Sequence, residues 1–317
     1  MKIKSARYSK NIRQPGRKTR RRPFGGSGAP VMKKLTEFAK SRPALLFLAP
    51  SLAGLLFFYI YPFLTGLRYM FMSSGFHAEF LGLHNIMSLF RSELFQTAML
   101  NNAIFTLAVV PATLILSLVF AAVVWESMGA GRFFRTASVM PYVAPTVAVV
   151  LLWTLFFDVN GAVNHILSWF GMERIDWVGT SLLRWLVITM YLWKNTGFNI
   201  ILILASMNVV EKEVLESATL DGANAFRRMV SVVIPQILPT IFFVTILSMV
   251  NSFRIFKEAY LIGGMYPDES LYTVQHFMYN QFASLNYNYV VSASVIFTLF
   301  VILLVGGLFI VEARSRR

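Results

Sequence analysis

Six stretches of the chain stay apolar for about 20 residues or more: approximately 44–67, 103–125, 136–157, 184–205, 239–262 and 290–312. At a rise of ~1.5 Å per residue, a helix of ~20 residues crosses a hydrocarbon core of ~30 Å. Hydrocarbon offers the backbone no hydrogen-bond partner, so each stretch is predicted to be helical and the whole to be an all-α integral membrane bundle of six transmembrane helices. The fifth stretch is the least clean. Its apolar run ends near Phe253, and Arg254, Lys257 and Glu258 follow before the pattern stops at "LIGG". Such side chains either snorkel outward or pair with a partner near the membrane surface, or they face a polar cavity.

Between the fourth and fifth stretches the pattern changes. Val210, Val214 and Ala218 recur every four positions with Leu215 beside them, while Glu211, Lys212 and Glu213 fall largely on the other side. That spacing predicts an amphipathic helix of about three turns. Asp221-Gly222 then breaks it, with Gly222 suited to the left-handed position just past a helix C-terminus. A second helix is expected from Ala223, turning Phe226 and Val230 toward the bundle and leaving Arg227 and Arg228 near the head groups. Pro235 and Pro239 are expected to end it and lead into the fifth span. The predicted product is an L-shaped bracket standing off the membrane.

Composition agrees with the class: of 317 residues 56 % are hydrophobic and 14 % charged, too apolar for a soluble fold. The absence of cysteine excludes disulfides, thiolate metal sites and cysteine nucleophiles. The net charge of +14 suggests nucleic acid only until it is located. Residues 1–43 hold 14 Lys/Arg and one acid, Glu37, whereas the rest of the chain holds 15 Lys/Arg against 14 Asp/Glu. No part of the body is basic enough to follow a phosphate backbone, so no nucleic-acid partner is expected. The tail, with its "RRPFGGSGAP" linker, is predicted to be disordered, to fix orientation and to meet anionic lipid head groups. Its "RRPF" looks like a twin-arginine export signal, but the basic region is long and five further spans follow.

Cations flank both ends of the apolar body, which puts both termini in the cytoplasm. Six spans then place the loops near 126–135 and 206–238 inside, where Arg132, Arg135, Lys212, Arg227 and Arg228 agree. The expected layout is a cytoplasmic tail over 1–43, a first span over 44–67 and an outer loop over 68–100. A transmembrane domain of spans two to six then occupies 101–312, and a basic cytoplasmic tail 313–317.

The bracket resembles the cytoplasmic EAA loop of ABC importer permeases, the membrane subunits of binding-protein-dependent transport systems. Glu216, Ala218, Asp221, Gly222, Ala223, Pro235 and Pro239 carry the likeness, while Ser217 and Met229 stand where the family usually has Ala and Phe. The chain is similar in particular to the carbohydrate-importer branch of these type I importers. "FLAPSLAGLLFFYIYPF", "FLGLHNIMSLF", "FFRTASVMPYVAP", "GAVNHILSWFG" and "LWKNTGFNIILILASMNVV" extend the similarity over roughly residues 45–312.

The resemblance implies a permease of a bacterial plasma membrane, forming the pathway for a sugar or oligosaccharide delivered by an external solute-binding protein. It implies a second permease subunit and two ATPase subunits that bind ATP and Mg and dock on the bracket, an EAA-type coupling helix. Val210, Val214, Leu215 and Ala218 would fill a groove on the ATPase, Glu216 would fix orientation through a charge-assisted hydrogen bond, and Asp221-Gly222 would set the turn. A self-contained six-span channel or secondary transporter, in which the loop only connects helices, remains the alternative.

The chain itself carries no "GxxxxGK[ST]" phosphate cradle, and His77, His84, His165 and His276 lack metal-ligand spacing. No catalysis, cofactor or metal is expected. For the pathway the candidates are Asn195, Phe198 and Asn199 on span four and Ser248, Asn251 and Ser252 on span five, with Trp193 and Lys194 nearby. Amides pair with sugar hydroxyls and aromatic faces suit a pyranose ring; equally, these groups can bond and pack between helices. Lys194 either meets an acidic substrate or pairs with Glu258 or with a residue of the second permease.

Overall fold

The computed structural model describes residues 42–73, 79–126 and 131–315. The expected disordered tail lies outside the described residues except at its last positions. Residues up to Pro62 and those from Phe63 onward form two compact units. The described part of the first is an apolar helix, α1 (Arg42–Leu55), a π-helical turn, Leu56–Ile60, and the start of α2 (Tyr61–Tyr69), most of which belongs to the second.

The second unit is helical, with one isolated bridge between Met72 and Phe80. After α3 (His84–Arg91), α4 runs from Glu93 to Glu126. α5 (Gly131–Val143), α6 (Thr146–Phe156), α7 (Ala162–Trp169) and α8 (Leu183–Met207) follow. Then come α9 (Lys212–Leu220), α10 (Ala225–Arg228), α11 (Ile234–Ser252), α12 (Phe256–Gly263), α13 (Val274–Ala283) and α14 (Tyr287–Ser315). Among the described residues five helical runs are long and apolar enough to cross a membrane: Phe47–Tyr69, Glu93–Glu126, Leu183–Met207, Ala225–Gly263 and Tyr287–Arg314. Thr136–Val143 and Thr146–Phe156 make a sixth crossing if taken together, although they bend by 98° at their junction. Proline explains the bend, because the ring of Pro145 disfavours helical geometry at Ala144 and supplies no N–H of its own.

The structure adjusts three expectations. The helix that carries the second span begins ten residues before 103, and within it the amides of Asn101 and Asn102 find partners far along the chain. Asn101 Nδ2 donates to the carbonyls of Glu269 (2.6 Å) and Tyr272 (2.9 Å), and Asn102 Oδ1 accepts from Val274 N–H at 2.8 Å. Nor do Pro235 and Pro239 end a helix. The chain runs helically from Ala225 to Ser252, with a π-helical turn at Met229–Val233 just before Pro235. A wider turn there accommodates the lost donor and the ring clash without breaking the rod. Finally, Phe226 is 77 % and Val230 45 % exposed, so neither is covered by the bundle.

Two large apolar clusters, with a smaller one of Val149, Val150 and Met190, hold the second unit. One joins Phe95, Phe105 and Val109 of α4, Leu186, Val187 and Tyr191 of α8, and Phe253, Phe277 and Phe297. The other, at the opposite end of α8, gathers Ala121, Ile203, Met207, Val210, Val233 and Ile237. α5 lies close on α8 because Gly197 has no side chain: a Cβ there would stand 1.6 Å from the Ser138 carbonyl oxygen. Small residues allow this approach between membrane helices. Gly197→Val is expected to cost at least about 3 kcal/mol, since backbone has to move rather than a flexible side chain. The loss would be read as a collapse in the yield of monodisperse protein after detergent extraction.

Candidate functional site: the α9 elbow and the polar residues of spans three to five

α9 starts two residues later than the hydrophobic stripe suggests, at Lys212, with extended Glu211 as its N-cap. Its C-terminus closes by paired backbone bonds. Ala223 N–H donates to Ala218 O and Gly222 N–H to Thr219 O, both at 3.0 Å, with Gly222 at φ +80°. This reciprocal closure needs a residue free to enter left-handed space, which glycine does without a Cβ penalty. Asn224 then caps α10, its Oδ1 accepting from Arg227 N–H at 2.8 Å. The two helices therefore meet at a defined corner.

The corner is fixed to the bundle from inside. Val210, 9 % exposed, belongs to the apolar cluster with Met207, Val233 and Ile237, and Leu215 packs against it. Arg228 reaches Glu126, at the end of α4, at 3.5 Å and the Thr219 hydroxyl at 3.2 Å. That ion pair is partly exposed and screened, so it sets position more than stability. Trp125, Glu126, Leu215, Glu216, Thr219 and Arg228 line a cavity of 310 Å³ beneath the elbow. Val210 is thus packed within the chain, and Leu215 is half-buried against the same cluster. Periodicity finds an apolar stripe but does not say which body it faces. Val214, Glu216, Asp221 and Gly222 are exposed, Ala218 is half-buried, and Leu220 is 89 % exposed.

At mid-length of α8, Lys194 Nζ lies 2.8 Å from Glu258 Oε1 on α12 and donates to Thr146 Oγ1 on α6 at 2.6 Å. Both charged side chains are nearly closed off, at 12 % and 13 % exposure. Lys194 is therefore paired within the chain, across three helices, while Arg254 and Lys257 are exposed. Phe198, one turn along, stacks on Tyr142 with centroids 4.7 Å apart and planes 14° from parallel.

The remaining polar candidates divide. Asn199 Nδ2 donates to Ser248 Oγ at 2.8 Å, and Ser252 Oγ is 2.9 Å from Thr106 Oγ1; all four are buried and bond between helices. Asn195 is half-buried and donates to Tyr191 O in its own helix at 2.9 Å. Asn251 is half-buried, and among the described residues its side chain makes no hydrogen bond. The sequence reading missed Thr146, Tyr142 and the Arg228–Glu126 brace. A bulky aromatic just before the "AP" break was the one available hint for Tyr142.

The far end of the bundle, remote from the elbow, is tied by polar groups that sequence inspection did not single out. Arg184 at the start of α8 donates through Nε to Ser270 O (2.7 Å) and through an Nη to Asn101 Oδ1 (2.6 Å). Next to it, Thr273 and His276 cap α13 reciprocally, with His276 Nδ1 accepting from Thr273 N–H at 3.2 Å. The ring is wholly buried, and burial pushes its pKa down from 6.5 to about 4. The unfolded chain takes up this proton near pH 6.5 and the folded chain only near 4. Stability from this group is accordingly complete above 6.5 and lost as pH falls toward 4, by about 3 kcal/mol in all. Thermal unfolding between pH 7.5 and 4 is expected to show this drop, and His276→Gln to flatten it. Among the described residues no three His, Cys, Asp or Glu side chains gather as a metal site.

Comparison with known proteins places this geometry. Residues 129–317 match the model of the family described as binding-protein-dependent transport system inner membrane component. The sn-glycerol-3-phosphate transport system permease protein UgpA of Yersinia pestis bv. Antiqua is 32 % identical over 279 residues, 86 % of this chain and 92 % of that one. The lactose transport system permease protein LacF of Rhizobium radiobacter is 30 % identical over 244 residues, 74 % and 81 % of the two chains. The fold is shared with a chain of a bacterial ABC transporter involved in the import of the acidic polysaccharide alginate. The TM-score is 0.80 at 21 % identity, covering 90 % of this chain and 100 % of that one. By the family match and by its relatives over most of their length, the chain belongs to the inner-membrane permease family of binding-protein-dependent transport systems.

Proposed function

We propose that this permease forms one half of the translocation pathway of an ATP-driven importer for a sugar or oligosaccharide. An external solute-binding protein delivers the cargo, a second permease supplies the other half, and two ATPase subunits carry ATP and Mg. Both termini and the elbow face the cytoplasm in this reading. A crystal structure of the alginate transporter relative contains an alginate pentasaccharide-bound periplasmic protein, and lactose and glycerol phosphate name the cargo of the other relatives. All are carbohydrates or polyols, which supports the substrate class. Family membership favours this reading over a self-contained channel.

The observation that carries the coupling role is the elbow's construction. A helix closed by Gly222 and seated on the cluster around Val210 passes displacement directly to α8 and α11, where a loose loop would absorb it. Val214, Glu216, Ala218, Asp221 and Gly222 form the side left for an ATPase, with Val210 and Leu215 as its internal seat. For the cargo, Asn195, Asn251 and the Tyr142–Phe198 pair are the available contacts, while Asn199, Ser248 and Ser252 hold the helices that bear them. Lys194 is paired with Glu258 and so is not an isolated cation beside these contacts.

The test is isolation of the tagged chain from native membranes followed by reconstitution. An ATPase is expected to co-purify, with hydrolysis stimulated by cargo-loaded binding protein. Recovery of the chain alone, transporting solute without nucleotide, would overturn the proposal.

A further inference from the structure

α7 (Ala162–Trp169) has two apolar sides, and the bundle uses one of them. Val163, Asn164 and Leu167 turn inward, with Asn164 only 2 % exposed. Asn164 is fully engaged: its Nδ2 donates to the carbonyls of Asp158 (3.1 Å), Val159 (3.2 Å) and Ile175 (2.8 Å), and its Oδ1 accepts from Ile175 N–H at 3.0 Å. The loop on both sides of α7 is therefore held to it. The opposite side carries Ala162, Ile166, Trp169 and Phe170, at the i, i+4, i+7, i+8 spacing of a single helical face. Ile166 is 48 %, Trp169 73 % and Phe170 74 % exposed, and Met172 just beyond is 54 % exposed. His165 and Ser168 separate the two sides as a polar edge, and the His165 ring packs edge-on against Trp169 at 5.6 Å.

From this geometry we infer that α7 is an interfacial anchor, lying in the bilayer surface at the end of the bundle remote from the elbow with Ile166, Trp169, Phe170 and Met172 in lipid. Continuity with the membrane-facing surface argues for lipid as the occupant. Five residues, which span at most ~17 Å, separate the end of α6 from Ala162. The last turns of α6 present Leu151, Leu152, Leu155 and Phe156, each more than half exposed. Trp185, in the first turn of α8, is 61 % exposed at the same end. Tryptophan favours this depth because its ring is apolar and its N–H finds water or head groups. Glu173 and Arg174, both exposed and directly after the apolar face, supply the charges such a helix turns toward the head groups. A rigid loop pressing an aromatic face into one leaflet would fix the depth of the bend in the third span.

The chain has no cysteine, so a nitroxide attached at Ile166→Cys, Phe170→Cys or His165→Cys is unique within it. The labelled transporter would be assembled with cysteine-free partner subunits in lipid nanodiscs and probed by collision with oxygen and with a nickel chelate. Labels at 166 and 170 are expected to collide several-fold more with oxygen than with the chelate, and the label at 165 to show the reverse. Water-like behaviour at 166 and 170 would overturn the inference. So would shielding from both reagents, which would mean that the binding protein or the second permease covers this face.

Discussion

Replacing Lys194 with methionine is expected to destabilise the folded permease by about 3–5 kcal/mol, because the Glu258 carboxylate would be left nearly closed off without its cation. Glu258→Met should cost a similar amount by stranding Lys194. The double variant should recover most of the loss, since replacing a buried ion pair by packed apolar groups is often close to neutral. Thermal unfolding of the three variants in one detergent gives the comparison. Transport by the double variant then separates two roles. If the pair only ties α6, α8 and α12 together, uptake returns with the fold. If it borders the cargo's route, the double variant folds but transports with altered selectivity or rate. A loss in the double variant equal to the sum of the two single losses would show that the two groups do not act as a pair.

Gly222→Val is expected to reduce ATP-driven uptake by about tenfold or more while the membrane bundle stays folded. Left-handed backbone costs a side-chain-bearing residue ~1–2 kcal/mol, and a β-branched residue is the least tolerant. That penalty falls on the corner between α9 and α10, and ~1.4 kcal/mol shifts its population tenfold. Nothing lies within 4 Å of a Cβ at Gly222, so the effect comes from backbone geometry rather than a clash. Gly222→Asn, which enters left-handed space more readily, should therefore restore much of the activity. Unimpaired uptake by the valine variant would remove the elbow from the coupling path.

These two sites differ in how far sequence alone reveals them. Gly222 was readable, since an Asp-Gly break after an amphipathic stripe is a local signal and the bonds that close the helix all lie within six residues. The Lys194–Glu258 pair was left as one of several options because 64 positions separate its members. The early start of the helix that carries the second span was unreadable for a similar reason, as Asn101 finds its carbonyls about 170 residues away and a hydropathy window sees only polar side chains. Pro235 and Pro239 misled in another way. Their local preference against helix is real, but a π-helical turn before them lets the rod continue. The stripe of Val210 and Leu215 was readable as a stripe, but its packing against Met207, Val233 and Ile237 is a matter of tertiary contact that periodicity does not reveal.

Arg184 and Asn101 give the bundle a fulcrum. They bolt the ends of α4 and α8 to the segment from Glu269 to Tyr272, at the extremity farthest from the elbow. In the proposed coupling, a push delivered near Met207 would turn α8 about this bolted tip rather than slide it, with travel growing with distance from the pivot. Lys194, about half-way along, would then sweep roughly half the arc of the driven end.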